Sequence, residues 1–363
     1  MFVITNRKLE SDKGDLSIFS KYPNEKGANE LRLVEVIKSK NTYKAKLLDD
    51  ELSKTRIKEI AVQCKIDLDT SKKWYQSLDV ACQLYKQCLK NKKHILVFVH
   101  GYNNDMSDVL ATAEKLEKLY KVSVVPFSWP ANGGGEVSGA ASYLSDKRDA
   151  RVSTGALDRF LERLQSYHEI FSAARKGRQW NVAIKKHPDN HEEARAEYAR
   201  EQEKDCGMSI NMVCHSMGNY LLKYATMPSA SQMRRLIFDN VCIVAADANN
   251  KDHKNWVEEI QSRLGVYIVI NENDSALKWS RRKPGEEQLA RLGHYLKGLN
   301  AMNTSYLNVT DAPFVGGEHS YFKGDPVSKN GRLKKMFASI FEGQRPEREM
   351  KYRTDINVYE LRK

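Results

Sequence analysis

The chain has 363 residues, 41% apolar and 29% charged, with a mean hydropathy of −0.62. That length can hold one large domain or two ordinary ones, and no charge-free stretch of 18 residues is present to cross a membrane as a helix. With 59 Lys plus Arg against 47 Asp plus Glu, the formal net charge is +12. This raises nucleic acid, an anionic membrane or an acidic ligand as partners without choosing among them.

The first residues, MFVITNRKLESDKGD, contain neither an apolar core nor a small-residue cleavage site, so no signal peptide is expected. The cysteines Cys64, Cys82, Cys88, Cys206, Cys214 and Cys242 form no CxxC pair and several sit in apolar runs. Buried free thiols in a reducing cytoplasm are the expectation.

In chain order, Phe2 to Thr5, Leu31 to Ile37 and Tyr43 to Leu48 alternate in polarity as strands do. Ser71 to Lys90 has helical periodicity. His94 to His100, HILVFVH, is a continuous apolar run that suits a strand buried on both faces. A helix is predicted from Asp105 to Tyr120, a strand from Val122 to Phe127 and a helix from Ser145 to His168. Then come a strand over Ser209 to Cys214, a helix over Ser216 to Thr226, and a strand within Leu236 to Ala246. A helix over His253 to Leu264, strands at Val266 to Ile270 and Tyr306 to Val309, and a helix over Leu333 to Phe341 complete the series. Strands alternating with helices imply a mostly parallel sheet with helices on both faces, an α/β fold.

The expected organisation is an N-terminal α+β extension over 1–91, free to pack on the core sheet, a main domain over 92–345 and a tail over 346–363. A charged segment at 172–205 interrupts the main domain. It reads either as a solvated helical excursion or as a lid or partner-docking insertion over the C-terminal edge of the sheet.

Residues 209–220 read SINMVCHSMGNY, a strand running through His215-Ser216-Met217-Gly218 into a helix. This has the form of a nucleophile elbow, in which a tight strained turn projects a serine above a helix N-terminus. Cys214 stands where the first glycine of GxSxG is usual, and Gly218 is kept. After the apolar strand ILVFV comes His100-Gly101-Tyr102, a loop suited to supply one oxyanion N–H. Tyr102 and Met217 are the candidate donors. A serine needs a general base and the base an orienting acid, and both follow the serine in this order of elements. Asp247, Asp274 and Asp311 compete for the acid. Asp274 follows the strand ending at Ile270, where the acid loop is expected, and Asp247 is the runner-up. Among His253, His294 and His319, His319 is preferred. It lies in a loop after the last predicted strand, where Gly316 and Gly317 give the chain freedom to reach back across the sheet.

With these residues in place, the chain resembles the α/β-hydrolase superfamily, and within it the bacterial DUF900 family of uncharacterised α/β-hydrolases. The resemblance rests on VFVHGYNN, Phe127-Ser128-Trp129-Pro130, Tyr143-Leu144-Ser145-Asp146 and His215-Ser216-Met217-Gly218-Asn219. It continues through Asn271-Glu272-Asn273-Asp274 with Leu277 and Ser280, and then Arg291-Leu292-Gly293. It spans about residues 92 to 342 and implies the α/β-hydrolase fold with a triad of Ser216, Asp274 and His319. Trp129 and Tyr143 are candidates for lining the substrate pocket, plain packing being the other reading for each.

The expected activity is a cytoplasmic serine hydrolase cleaving a carboxylic ester or thioester through an acyl-enzyme, with no metal or organic cofactor. An amidase or peptidase using the same triad, or a binding protein on the hydrolase fold, stands as the alternative. The expected partner is a small-molecule or lipid-like acyl substrate. Contact with an anionic membrane face stays open, as does the oligomeric state. The basic residues are spread and no nucleic-acid-binding motif is present, so a nucleic-acid function is not expected. The run Arg281 to Lys283, near the acid loop, is the place where charge would bias substrate choice.

Overall fold

The computed structural model describes residues 1–40, 42–131, 140–203, 207–227, 236–282 and 289–361. Its strands are β1 (Phe2–Thr5), β2 (Arg7–Leu9), β3 (Lys13–Gly14), β4 (Phe19–Pro23), β5 (Arg32–Ser39), β6 (Thr42–Leu47) and β7 (His94–Val99). They continue with β8 (Val122–Ser128), β9 (Ile210–His215), β10 (Phe238–Val244), β11 (Ser262–Ile270), β12 (Thr304–Asn308), β13 (Lys351–Arg353) and β14 (Val358–Glu360). Twelve of them form one sheet in the order β13-β14-β12-β11-β10-β9-β7-β8-β1-β5-β6-β3. The run from β14 to β1 is parallel throughout. β5, β6 and β3 extend one edge antiparallel, and β13 extends the other. The chain thus has the α/β-hydrolase architecture, a large and mostly parallel sheet with helices on both faces.

The continuous apolar strands are buried on both sides. Ile95, Val97 and Val99 of β7 face one core, with Leu157, Leu221 and Trp256. Leu96 and Phe98 face the other, with Leu110, Leu116, Phe337 and Ile340. The helix Met106–Leu119 starts where Asp105 Oδ1 accepts from Asp108 N at 2.9 Å, a capping box that satisfies the first free amides. A third cluster packs Ile57 and Ile60 of the helix Lys54–Cys64 against Leu78, Cys82 and Tyr167.

Both ends of the chain join the sheet. Residues 1–5 add β1 beside β8, with Ile4 opposite Phe127 and Thr5 opposite Ser128. The last residues, set apart as a tail in the sequence reading, add β14 beside β12, with Val358 fully buried. The predicted helix over His253 to Leu264 is reduced to Lys254–Val257, and β11 starts at Ser262. The apolar residues Trp256, Val257, Ile260 and Leu264 mimic a helical stripe. Leu264 also alternates with Val266 and Ile268, and pairing of β11 with β10 and β12 decides the outcome.

The charged segment is a helical hairpin. One helix runs Thr154–Lys186 and returns as His191–Glu203, with Ala183 and Ala194 buried between them. Trp180 meets Tyr198 edge-on at 5.4 Å, and Glu197 takes both Lys186 and Arg200. Residues 204–206 lie outside the described part. Among the described residues no helix is long and apolar enough to cross a membrane.

Candidate active site

The C-terminal ends of the parallel strands bring the sequence-predicted residues together. β9 ends at His215, the next helix begins at Gly218, and Ser216 between them has φ 54°. A serine in the left-handed region is strained, and its surroundings hold it there. Ser216 N donates to Val244 O at 3.1 Å, and Ser216 O accepts from Asp247 N at 3.2 Å. The buried Asn219 amide donates to the carbonyls of Cys214, Ser216 and Val244 at 3.0, 3.2 and 3.0 Å.

Two glycines let the turn sit this close to β7. A Cβ on Gly218 would fall 2.7 Å from His100 O and 2.8 Å from Val99 O. A Cβ on Gly101 would fall 2.8 Å from the Cβ of Ser216. Cys214 is fully buried on β9 in the same core as Leu221 and Val99, so its small side chain fits where the usual motif has glycine.

His319 Nδ1 lies 2.7 Å from Asp274 Oδ2. A carboxylate only accepts, so Nδ1–H donates and Nε2 is left to take a proton. Asp274 is fully buried, and its other oxygen accepts from Leu277 N at 3.0 Å, which caps the helix Ser275–Ser280. The histidine loop is tied down beside it. Asn271 Nδ2 donates to Gly316 O at 2.9 Å and Glu318 O at 3.2 Å, and Ser275 N donates to Gly317 O at 3.1 Å. His215 Nε2 is 3.1 Å from His319 O and the two rings lie 4.7 Å apart. Burial, with His319 and Lys323 nearby, keeps His215 neutral by pushing its pKa well below the ordinary value.

Side chains from several segments hold the loop after β7. Trp129 N–H donates to His100 Nε2 at 3.2 Å, which leaves Nδ1–H to donate to Gly101 O at 2.9 Å. That carbonyl and the Tyr102 N–H belong to one planar trans peptide and point opposite ways, so the His100 ring sets the direction of the amide. Asp146 Oδ2 accepts from Asn103 N at 2.9 Å. Arg7 Nη2 donates to Asn104 O at 2.8 Å. Arg7, from the N-terminal extension, also reaches Ser128 Oγ and Ala131 O at 3.0 and 3.2 Å. Burial, and then the neighbouring Arg7 cation, push the His100 pKa down to about 3.

Ser216, His319 and Tyr102 line one cleft of about 530 Å³. Its wall mixes apolar groups such as Phe98 and Leu277 with Asn104, Thr112 and Lys323. Met217 is buried, and its N–H stands at the N-terminus of the helix Gly218–Thr226. No described residue of the charged hairpin lines this cleft. That hairpin instead borders a separate cavity of about 1260 Å³ holding none of Ser216, Asp274 or His319.

A family model for α/β hydrolases of unknown function, DUF900, matches residues 79–172. Over that span the chain is similar to the DUF900 α/β-hydrolases. The matched span carries Gly101, Tyr102, Trp129, Tyr143 and Asp146; Ser216, Asp274 and His319 lie beyond it, so their grouping rests on the geometry. No curated protein and no solved structure matches the chain.

The two candidate pocket residues, Trp129 and Tyr143, have different surroundings from each other. Trp129 is fully buried, stacks on His100 at 5.0 Å and donates its indole N–H to His100 O at 2.9 Å. It supports the loop and does not line the cleft, because its ring is spent on His100. Tyr143 does line the cleft, and its hydroxyl donates to Asp247 Oδ2 at 3.0 Å.

Asp247, the runner-up acid, belongs to a buried network. It accepts from Ser280 Oγ at 2.5 Å and pairs with Arg291 Nε at 3.0 Å, and Arg291 also donates to Asn249. Asp311 is exposed. His253 is buried between Asn250 O and the Tyr306 hydroxyl, and His294 is not in the cleft wall. Sequence reasoning assigned no role to His100, His215, Asn219, Arg7 or Lys323. The first three stood beside the motifs, and their partners appear only when the strand ends are assembled.

Proposed function

We propose that this protein is a serine hydrolase that cleaves a carboxylic ester or thioester through an acyl-enzyme. Ser216 is the nucleophile, His319 the general base and Asp274 the group that orients His319. The observation that carries this reading is the Asp274–His319 pair at 2.7 Å, opening on the cleft that also holds the strained Ser216.

Ser216 Oγ attacks the acyl carbon as His319 Nε2 takes its proton. Asp274 favours the tautomer with Nδ1 protonated and then stabilises the imidazolium. The Tyr102 and Met217 N–H groups hold the oxyanion, each worth about 3–4 kcal/mol of barrier. His319 returns the proton to the leaving group, then activates the water that frees Ser216. A mixed cleft of about 530 Å³ favours a short acyl group over a long lipid chain.

The test is a panel of matched chromogenic ester, thioester and anilide substrates. The reading expects turnover of ester and thioester with a burst of leaving group, and a loss of about a million-fold in kcat for Ser216→Ala or His319→Ala. Faster cleavage of the anilide than of the ester would move the protein to the amidases.

A further inference from the structure

One charged group in the cleft wall takes no part in the acyl chemistry. Among the described residues lining the cleft, the charged or titratable side chains besides the Tyr143 and Tyr102 phenols and the His215 imidazole are Asp247, His319 and Lys323. Asp247 is already matched by Arg291, Ser280 and Tyr143, and His319 by Asp274. The Lys323 ammonium donates to Thr112 Oγ1 at 2.6 Å and stands 5.9 Å from the centre of the Phe322 ring. Thr112 also lines the cleft, which places the positive charge at its wall. Among the described residues no carboxylate forms an ion pair with Lys323; Asp108 attracts it from further off and Lys115 repels it. Burial pushes its pKa down to about 8, so at neutral pH it remains mostly a cation in a place that disfavours charge.

Among the described residues its hydrogen-bond partner is a neutral hydroxyl, which leaves this half-buried ammonium an incomplete ion pair. The arginines that the sequence offered for the same task are elsewhere: Arg281 and Arg282 are exposed, and Arg282 lies over the Trp279 ring at 5.6 Å. Lys283 lies outside the described residues.

We propose that Lys323 completes its pair with the substrate, and that the cleft takes an ester or thioester carrying a carboxylate beyond the scissile carbonyl. The inference rests on the serine-hydrolase reading of Ser216. Lys323 is a specificity residue here, contacting the far end of the substrate and none of the reacting atoms.

Two matched pairs of esters test it. The mono-4-nitrophenyl ester of adipic acid and 4-nitrophenyl hexanoate differ in one acyl end group, carboxylate against methyl. In 4-acetoxybenzoate and 4-tolyl acetate the same difference lies on the leaving group. For one pair, wild-type kcat/KM favours the anion, and Lys323→Met or Lys323→Gln lowers that preference about 10- to 100-fold, as expected for a charge-assisted contact. Lys323→Arg keeps most of it, and salt weakens it in the wild type. The pair that responds tells which side of the substrate Lys323 meets. If both neutral esters are cleaved and neither preference changes in any variant, the anion inference is wrong while the hydrolase reading stands. If the wild type cleaves none of the four, both fall.

Discussion

His319 Nδ1 lies 2.7 Å from Asp274 Oδ2, although 45 residues separate them in the chain. This bond distinguishes Asp274 from Asp247, which the sequence left as runner-up, since Asp247 is engaged by Arg291 instead. The two carboxylates therefore respond oppositely to the same change. Asp274→Asn keeps a cap acceptor for Leu277 and the fold, and lowers kcat about ten-thousand-fold through the wrong imidazole tautomer. Asp247→Asn leaves a buried Arg291 without its counter-charge and lowers stability by about 3–5 kcal/mol. Paired kcat and urea-unfolding measurements on both variants check this.

Gly101 lies against Ser216 with no room for a methyl group. Gly101→Ala places its Cβ 2.8 Å from that of Ser216 and displaces the loop bearing Tyr102. The variant loses about 100-fold in kcat, as expected for a misplacement near 1 Å. Steady-state kinetics with circular dichroism as a fold control measures it.

Arg7 gives the N-terminal extension a part in the site. It holds Asn104 O in one loop and Ser128 Oγ and Ala131 O in the next. Arg7→Met leaves these buried acceptors unsatisfied and costs roughly 3 kcal/mol of stability. It also lowers kcat, because the Asn104 anchor is lost. Lys in its place restores little, since one ammonium cannot span both loops.

His100 sets a pH limit. Its pKa falls from 6.5 to about 3 on folding, because burial disfavours the cation. Between these values the unfolded chain binds the proton and the folded chain does not, so stability falls as pH drops from 6.5 toward 3. His215 is shifted in the same direction and adds to the loss. His100→Gln removes one contribution, so its stability declines less between pH 7 and pH 4 than that of the wild type, read by urea unfolding at each pH.

The apolar strands and the elbow were legible because their signals are local. HILVFVH is a short continuous apolar run that suits a strand buried on both faces, and HSMG carries its turn in four residues. The long-range pairs were less legible. Trp129 stood open between lining the pocket and plain packing, because nothing in FSWP reveals that its ring stacks on His100. The role of residues 1–7 was hidden because a four-residue strand and one arginine gain meaning only beside β8. The basic run near the acid loop drew attention by its density, while the single Lys323 at the cleft wall stands in an unremarkable YFKGD.

The most direct test of the account is covalent labelling of Ser216. Folded wild-type protein is treated with a fluorophosphonate, and the adduct is read by intact mass and mapped by peptide sequencing. The account predicts one phosphonyl group on Ser216, none on Ser216→Ala, and much slower labelling of His319→Ala. A folded wild type that does not react, or Ser216→Ala reacting equally, would contradict it.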